Sequence, residues 1–324
     1  MRVTRRDFLK YCTASAAALG LQSALGPLNR VLAAGGGPPI IWLSAASCTG
    51  CTVSLANRFS TSGPVDLADL LINTINLAYH PNLMGAAGDL AVETLRSVDL
   101  DPFILAVEGG IPTAFNGKTC ILWSENGYDI TAMEAVNDLA SRATRILSIG
   151  TCASYGGIAG AAPNPTSVRG VRDVTGRPVI SIPGCPAHPD WVVWTIAQLL
   201  AGNNPSLDSS GRPTALYGST VHSRCPRRGR AWANSLSETE LCMNNLGCKG
   251  RITYSDCPTR KWNNGVNWCV GNDSLCEGCT QNGYPDQFAP LFSTRGALPR
   301  DHDGVRVDPP RTTCTSCHGQ DVDD

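Results

Sequence analysis

Groups of cysteines set in loops are the residues of this chain whose types and spacing promise chemistry, because converging thiolates hold soft metals and iron–sulfur clusters. The first group is Cys48, Cys51, Cys152 and Cys185. Cys48-Thr-Gly-Cys51, Gly150-Thr-Cys152 and Pro183-Gly-Cys185-Pro186 each stand just past an apolar run. Four thiolates there fit zinc or a 4Fe–4S cluster. A thioredoxin-like use of the first pair alone would leave the other two unexplained. The second group is His222, Cys225, Cys242 and Cys248, one imidazole with three thiolates, again open to zinc or iron–sulfur. The third is Cys257, Cys269, Cys276 and Cys279, ending in Cys276-Glu-Gly-Cys279. Spacing does not choose the metal. Three such sites in one exported chain favour an electron relay over three structural zincs.

Cys314-Thr-Ser-Cys317-His318 signals a different chemistry, that of a c-type haem attachment. Two thioethers would fix the porphyrin and His318 would ligate the iron. His302 or a partner residue would supply the sixth ligand. Covalent attachment takes place on unfolded chain after export, so it requires an accessible tail. The alternative is a tail without haem.

The chain holds 15 cysteines in 324 residues, an odd number that cannot pair completely within one chain. A domain of this length also builds a core without disulfide staples. The three groups and the haem motif absorb all but two. Cys12 lies in the N-terminal segment. Cys120 lies in an apolar run and reads as a core thiol.

Residues 1–34 read as an export signal, with a basic start, an apolar stretch from Tyr11 to Leu25 and small residues at Ala33-Ala34. Thr4-Arg5-Arg6-Asp7-Phe8-Leu9-Lys10 fits a twin-arginine signal, which serves proteins that fold and take up cofactors before export. The expected location is the periplasm. Arg2, Arg5, Arg6, Lys10, Arg30 and Asp7 leave with the signal, so 26 basic and 27 acidic residues become 21 and 26. That acidic balance gives no support for nucleic-acid binding. No later run is apolar enough to anchor the mature chain in a membrane.

The elements that must position the thiols are legible as alternating runs. Ile40–Leu43, Cys120–Trp123, Arg145–Ile149 and Pro178–Ile182 read as buried parallel strands. Val65–Leu77, Asp89–Val98, Thr131–Ser141 and Asp190–Leu200 read as helices. The alternation predicts a doubly wound α/β domain over residues 35–215. Its ligand edge lies beyond the carboxyl ends of the strands, where the first four cysteines fall. Residues 216–295 are rich in Asn, Gly, Cys, Arg and Pro and mostly irregular, so bound metal is expected to order them. Residues 296–324 form a polar tail.

Residues 40–292 resemble the small subunit of nickel–iron hydrogenases. The resemblance is carried by Ser47-Cys-Thr-Gly-Cys51, Tyr79-His-Pro-Asn-Leu-Met84, Val107-Glu-Gly-Gly-Ile-Pro-Thr113, Gly150-Thr-Cys-Ala-Ser-Tyr-Gly-Gly157 and Pro183-Gly-Cys-Pro-Ala-His-Pro-Asp-Trp191. Val221-His-Ser-Arg-Cys-Pro226, Gly247-Cys-Lys-Gly250 and Trp262-Asn-Asn-Gly-Val-Asn-Trp-Cys269 extend it. It implies a flavodoxin-like domain with a proximal 4Fe–4S cluster on Cys48, Cys51, Cys152 and Cys185. It implies a distal 4Fe–4S cluster on His222, Cys225, Cys242 and Cys248. Many members have Pro at the position of Cys269 and a medial 3Fe–4S cluster. The fourth thiolate here implies a medial 4Fe–4S cluster on Cys257, Cys269, Cys276 and Cys279, as in the nickel–iron–selenium branch. Hydrogen would be split at a Ni–Fe centre on a separate large subunit. This chain would carry the electrons to a c-type cytochrome or another acceptor. Gly50 and Gly157 stand where oxygen-tolerant relatives place extra cysteines, which implies an ordinary proximal cubane. Ser47 and Val53 stand where many members carry acids, and the haem motif is a further departure. The alternatives are an iron–sulfur subunit of another exported redox complex and a zinc-bound structural protein.

Several other side chains have two readings each. His188 either bonds a cluster sulfur or is a satisfied structural histidine. His80 reads as structural. Glu108 reads as a solvated loop acid rather than one at a subunit interface. Arg224, Arg227, Arg228 and Arg230 either steer an acidic partner or offset cluster charge. Trp262 and Trp268 read as packing around clusters.

Overall fold

The computed structural model describes residues 37–61, 64–98 and 102–291. The export segment with Cys12, and the tail with His302, Cys314, Cys317 and His318, lie outside the described residues. The chain divides into two compact units, Met1–Ala215 and Leu216–Asp324.

The first unit is built on a five-stranded parallel sheet. Its strands are β1 (Ile40–Ser44), β2 (Leu77–Tyr79), β3 (Ile104–Glu108), β4 (Arg145–Ile149) and β5 (Ile180–Ile182), in the order β2-β1-β3-β4-β5. This is the flavodoxin-like order, in which the succession of strands reverses between β1 and β3. Every residue of β3 is buried, as expected of a central strand covered on both faces. The helices between the strands are α1 (Gly50–Ala56), α2 (Leu67–Asn73), α3 (Asp89–Val98), α4 (Ala132–Arg142), α5 (Gly150–Tyr155) and α6 (Pro189–Leu200). Their starts are written in the sequence. Asp66 caps α2, a Thr131–Glu134 capping box opens α4, and His188 followed by Pro189 opens α6. Leu43, Leu105, Val107, Val136, Leu139 and Ile146 join strands and α4 in one core.

Two expectations about strands need correction. Ile121–Glu125 is a strand, but it pairs antiparallel with Tyr128–Thr131 in a separate hairpin, and none of its residues is buried. Asn126-Gly127 supplies the positive-φ turn that makes a hairpin there. The central strand β3 and the edge strand β2 are additions to the strands that apolar runs predict. Ile75 to Tyr79 leaves the expected helix after Asn73 and turns into β2.

The second unit, as far as Leu291, holds only short helical turns: His222–Arg224, Met243–Leu246, Cys257–Arg260, Val270–Asn272 and Asp286–Phe288. Isolated bridges such as Thr220 to Tyr254 and Trp232 to Cys242 hold its loops. Its small core joins Val221, Ala233, Met243, Leu246, Trp268, Val270 and Leu275 to Cys276, with Cys225, Cys248 and Cys257 packed against it. No helix among the described residues is long and apolar enough to cross a membrane.

Candidate metal centres

The carboxyl ends of three strands deliver the first four thiols. Cys48 and Cys51 follow β1, Cys152 sits in α5 directly after β4, and Cys185 follows β5. They are close enough to act on one another. The charges of Cys152 and Cys185 raise the Cys51 thiol pKa, after the larger effect of burial. Cys48 acts on Cys152 in the same direction, again after burial. Backbone N–H groups face the sulfurs. Gly50 N–H donates to Cys48 Sγ and Ala187 N–H to Cys51 Sγ, each at 3.4 Å, and the N–H groups of Ile158 and Ala159 point at Cys152.

Glu108, at the end of β3, organises the same loop from below. It is 2 % exposed. Its carboxylate accepts from Cys51 N at 3.0 Å, Thr52 N at 3.3 Å, Thr52 Oγ1 at 2.5 Å and Trp42 Nε1 at 3.2 Å. His80 stacks on Trp42 with ring centroids 5.1 Å apart, and its Nε2 lies 3.3 Å from Thr52 Oγ1. Burial lowers the His80 pKa to about 4, so the ring is neutral at pH 7.

In the second unit, Cys225, Cys242 and Cys248 act on one another electrostatically. Gly250 lies between Cys248 Sγ and the His222 backbone, each 3.6 Å from where its Cβ would stand. Burial, then Arg251 and Arg228, lower the His222 pKa and favour the neutral, metal-ligating imidazole. Among the remaining cysteines, Cys257 is pushed up to about 12 by burial, while Ser255 Oγ donates to its sulfur at 3.1 Å and Trp262 also bonds it. Cys269 acts on Cys257, and Cys279 acts on Cys276. Cys248 acts on both Cys269 and Cys276, so the second and third groups adjoin. Lys249 links them through the backbone, its N–H donating to Cys276 O at 2.6 Å.

These surroundings fit iron–sulfur cofactors. Sulfurs are met by N–H and O–H donors, and the space around them is kept clear. A Cβ at Gly150 (φ +84°) would stand 2.5 Å from Cys51 Sγ, and one at Gly157 (φ +55°) 2.9 Å from Cys152 Sγ. No group of three or more His, Cys, Asp or Glu among the described residues is arranged to hold a single metal ion. The thiols are gathered but not closed on one point. Because burial raises their pKa values, loading metal must release protons.

Comparison with known proteins separates the two units. Residues 48–199 match the family described as NADH ubiquinone oxidoreductase, 20 Kd subunit. Residues 217–292 match the C-terminal family of the NiFe/NiFeSe hydrogenase small subunit. The chain is 35% identical over 317 residues to the periplasmic [NiFeSe] hydrogenase small subunit of Desulfomicrobium baculatum, covering 90% of this chain and 99% of that one. It is 36% identical over 301 residues to the periplasmic [NiFe] hydrogenase small subunit of Solidesulfovibrio fructosivorans, covering 90% and 93%. The chain belongs to the NiFe/NiFeSe hydrogenase small-subunit family. The reduced, active Ni-Fe-Se hydrogenase structure from Desulfomicrobium baculatum superposes with a TM-score of 0.73 at 34% identity, covering 79% of this chain and 99% of that one. The 20 Kd-subunit match alone would have left another redox complex open, whereas the second match and the full-length relatives are specific to hydrogenases. As a hydrogenase small subunit, the chain is part of an oxidoreductase enzyme.

Two side chains of this hydrogenase small subunit, Glu108 and Cys120, differ from their sequence reading, and the others described next stay within theirs. Glu108 is no solvated loop acid. It ends a fully buried strand, and the adjacent N–H groups of α1 are what compensate its burial. The apolar run Phe103–Val107 ahead of it was the available signal. Cys120 is half-buried at the mouth of the hairpin rather than in the core, with a thiol pKa raised by burial. His188 is buried, and its Nδ1 accepts from Asp190 N at 3.0 Å as the cap of α6. Trp268 is buried in the small core, and Trp262 packs against it beside Cys257. Arg227 is buried and paired with Asp273, whereas Arg224, Arg228 and Arg230 are exposed.

Proposed function

We propose that this chain is the electron-carrying subunit of a periplasmic hydrogenase, holding three 4Fe–4S clusters and ending in a covalent haem c. It would pair with a large subunit bearing the Ni–Fe centre, cross the membrane by the twin-arginine route and pass electrons to a cytochrome-type acceptor. The observation that supports it most is the gathering of Cys48, Cys51, Cys152 and Cys185 at the carboxyl edge of the parallel sheet, beside the β1/β3 reversal. Each cluster, when bound, takes and returns one electron at a time.

The residues' tasks follow from their positions. Cys48, Cys51, Cys152 and Cys185 would hold the proximal cluster. Cys257, Cys269, Cys276 and Cys279 would hold the medial one, and His222, Cys225, Cys242 and Cys248 the distal one. Cys314 and Cys317 would bind the porphyrin and His318 its iron. Glu108 holds the N–H groups of Cys51 and Thr52 in place. The N–H donors at Cys48, Cys51 and Cys225 offset charge on ligating sulfur. Gly50 and Gly157 border Cys48 Sγ and Cys152 Sγ, so their lack of side chains favours an ordinary proximal cubane.

Iron analysis and EPR of the complex test this. We expect about 12 cluster iron atoms, one nickel on the partner and no stoichiometric 3Fe–4S signal after oxidation. Cys269→Ala removes one iron and brings that signal up. A stoichiometric 3Fe–4S signal in the unaltered complex sinks the medial assignment, and zinc without iron sinks the whole reading.

A further inference from the structure

The exposed surface around the distal group is basic and carries an aromatic. Arg224, Arg228 and Arg251 are exposed. Arg228 and Arg251 both act electrostatically on His222, and Arg251 also acts on Cys242. Arg224 Nη2 donates to Ser219 Oγ at 3.1 Å and Arg228 Nη1 to Ser223 O at 3.3 Å. Trp232 is 49% exposed and pairs through its bridge with Cys242. A surface of this kind suits a flat apolar ring bearing carboxylates. Guanidinium groups pair with carboxylates, and an indole stacks on a ring. A porphyrin with its two propionates has that chemistry.

The sequence supplies such a group in the same chain. Residues 296–324 carry Cys314-Thr-Ser-Cys317-His318, with six Asp against three Arg, and Asp321, Asp323 and Asp324 follow the motif. Thr220 bridges Tyr254, and Tyr254 O accepts from Thr280 Oγ1 at 2.9 Å, so Thr280 lies beside the segment bearing His222. From Leu291 to Cys314 is 23 residues. A chain of 23 residues reaches at most about 76–83 Å, and a compact unit of this size has a radius of gyration of about 11 Å, so the length suffices to span it. Being on the same chain raises the effective concentration of the segment, and weak docking is enough.

We infer that the surface of Arg224, Arg228, Arg251 and Trp232 receives the haem-bearing segment of this same chain, placing the haem beside His222. The inference rests on the haem reading of the Cys314–His318 motif. An acidic external cytochrome is the competing occupant.

The test uses the whole hydrogenase complex. Mass spectrometry and a sharp reduced α-band first establish the haem, and a chain without it overturns both readings. With haem present, H2-driven haem reduction is followed by stopped flow in the unaltered complex and in Arg224→Glu/Trp232→Ala. The docking inference expects haem reduction to slow by roughly tenfold or more, while bleaching of the broad cluster absorption by H2 keeps its rate. Hydrogen exchange supplies a readout that does not depend on that variant. Truncation before residue 296 must deprotect amides of 222–232. Unchanged haem reduction in the variant overturns the docking, as does unchanged protection after truncation. So does a truncated complex that binds an acidic cytochrome on these arginines as tightly as the intact one.

Discussion

In the first unit the thiols stand at the rim of a core that is complete without them, whereas in the second unit thiols are part of the core. Seventeen buried apolar residues form the main cluster of the first unit, and its sheet ladder fixes where Cys48, Cys51, Cys152 and Cys185 emerge. In the second unit the cluster has eight members, one of them Cys276, with Cys225, Cys248 and Cys257 against it. At about 1.5–3 kcal/mol for each large side chain buried, the second core is too small to order the loops from 216 to 291 unaided. A group of thiols is thus positioned by the fold in one unit and is part of the core in the other.

Removing iron breaks this comparison most severely. Structural metal sites contribute about 10–16 kcal/mol each in small domains, so the second unit should lose its amide protection when iron is stripped by an oxidising chelator. Amides of β1, β3 and β4 should remain protected in the same sample. Hydrogen exchange reads both at once. Persistent protection across 216–291 without iron would show that the comparison is wrong.

The next largest effect lies within the first unit. Glu108→Ala strands the N–H groups of Cys51 and Thr52, the Thr52 hydroxyl and the Trp42 indole N–H, all donors to the present carboxylate. The expected loss is about 3–5 kcal/mol, or a fall of roughly 10 °C in the melting temperature of this unit. Glu108→Gln, which keeps the shape and one acceptor oxygen, should recover part of it. A melt unchanged by Glu108→Ala would mean that the proximal loop is held by its metal alone.

What the sequence made legible follows the same division. The cysteine groups were visible because chemistry fixes ligand types, and the motifs around Cys48, Cys152 and Cys185 lie beside short apolar strands that periodicity reveals. Helices α3, α4 and α6 were visible as the helical stretches between apolar strand-like runs. The central strand β3 was missed although Phe103–Val107 is continuously apolar and stands between Asp101-Pro102 and Gly109-Gly110, because a five-residue run cannot be told from a buried helix segment by periodicity alone. The run Ile121–Trp123 was assigned to the parallel sheet because its exposure depends on the hairpin turn at Asn126-Gly127, outside the run itself. Glu108 was misjudged for a different reason. A buried carboxylate is specified by donors 56 and 66 residues away in sequence, and no local pattern announces them. The irregular texture read over 216–295 agrees, as far as Leu291, with a segment of short helical turns, but its small core of Trp268, Met243 and Leu246 joins positions with no shared period.

Two glycine substitutions sharpen the contrast between a sulfur cradle and an ordinary turn. Gly176 (φ +64°) would place a Cβ in open space, whereas at Gly150 (φ +84°) it would meet Cys51 Sγ. Both Gly→Ala changes should cost about 1–2 kcal/mol for the left-handed backbone. Gly150→Ala alone should also lower the iron content of the complex. Equal iron in the two variants would remove Gly150 from the cradle.

The smallest effect concerns His80 and appears only in acid. The ordinary histidine pKa of 6.5 falls to about 4 here through burial. The unfolded chain therefore binds a proton over a range where the folded chain does not, and stability rises with pH there. The contribution is intact above pH 6.5 and is lost as pH falls toward 4. At pH 5.5 the loss is on the order of 1 kcal/mol, because the unfolded ring is then mostly protonated and the folded ring is not. Cluster loss in acid affects every variant alike, so the informative quantity is the difference between the unaltered complex and His80→Gln. His80→Gln keeps a polar group beside Thr52 Oγ1 but takes up no proton. Its first unit should be less stable at pH 7.5, through lost stacking on Trp42, and should give up less of its remaining stability between pH 7 and pH 5. Parallel acid limbs in the two proteins would show that the buried ring does not sense pH.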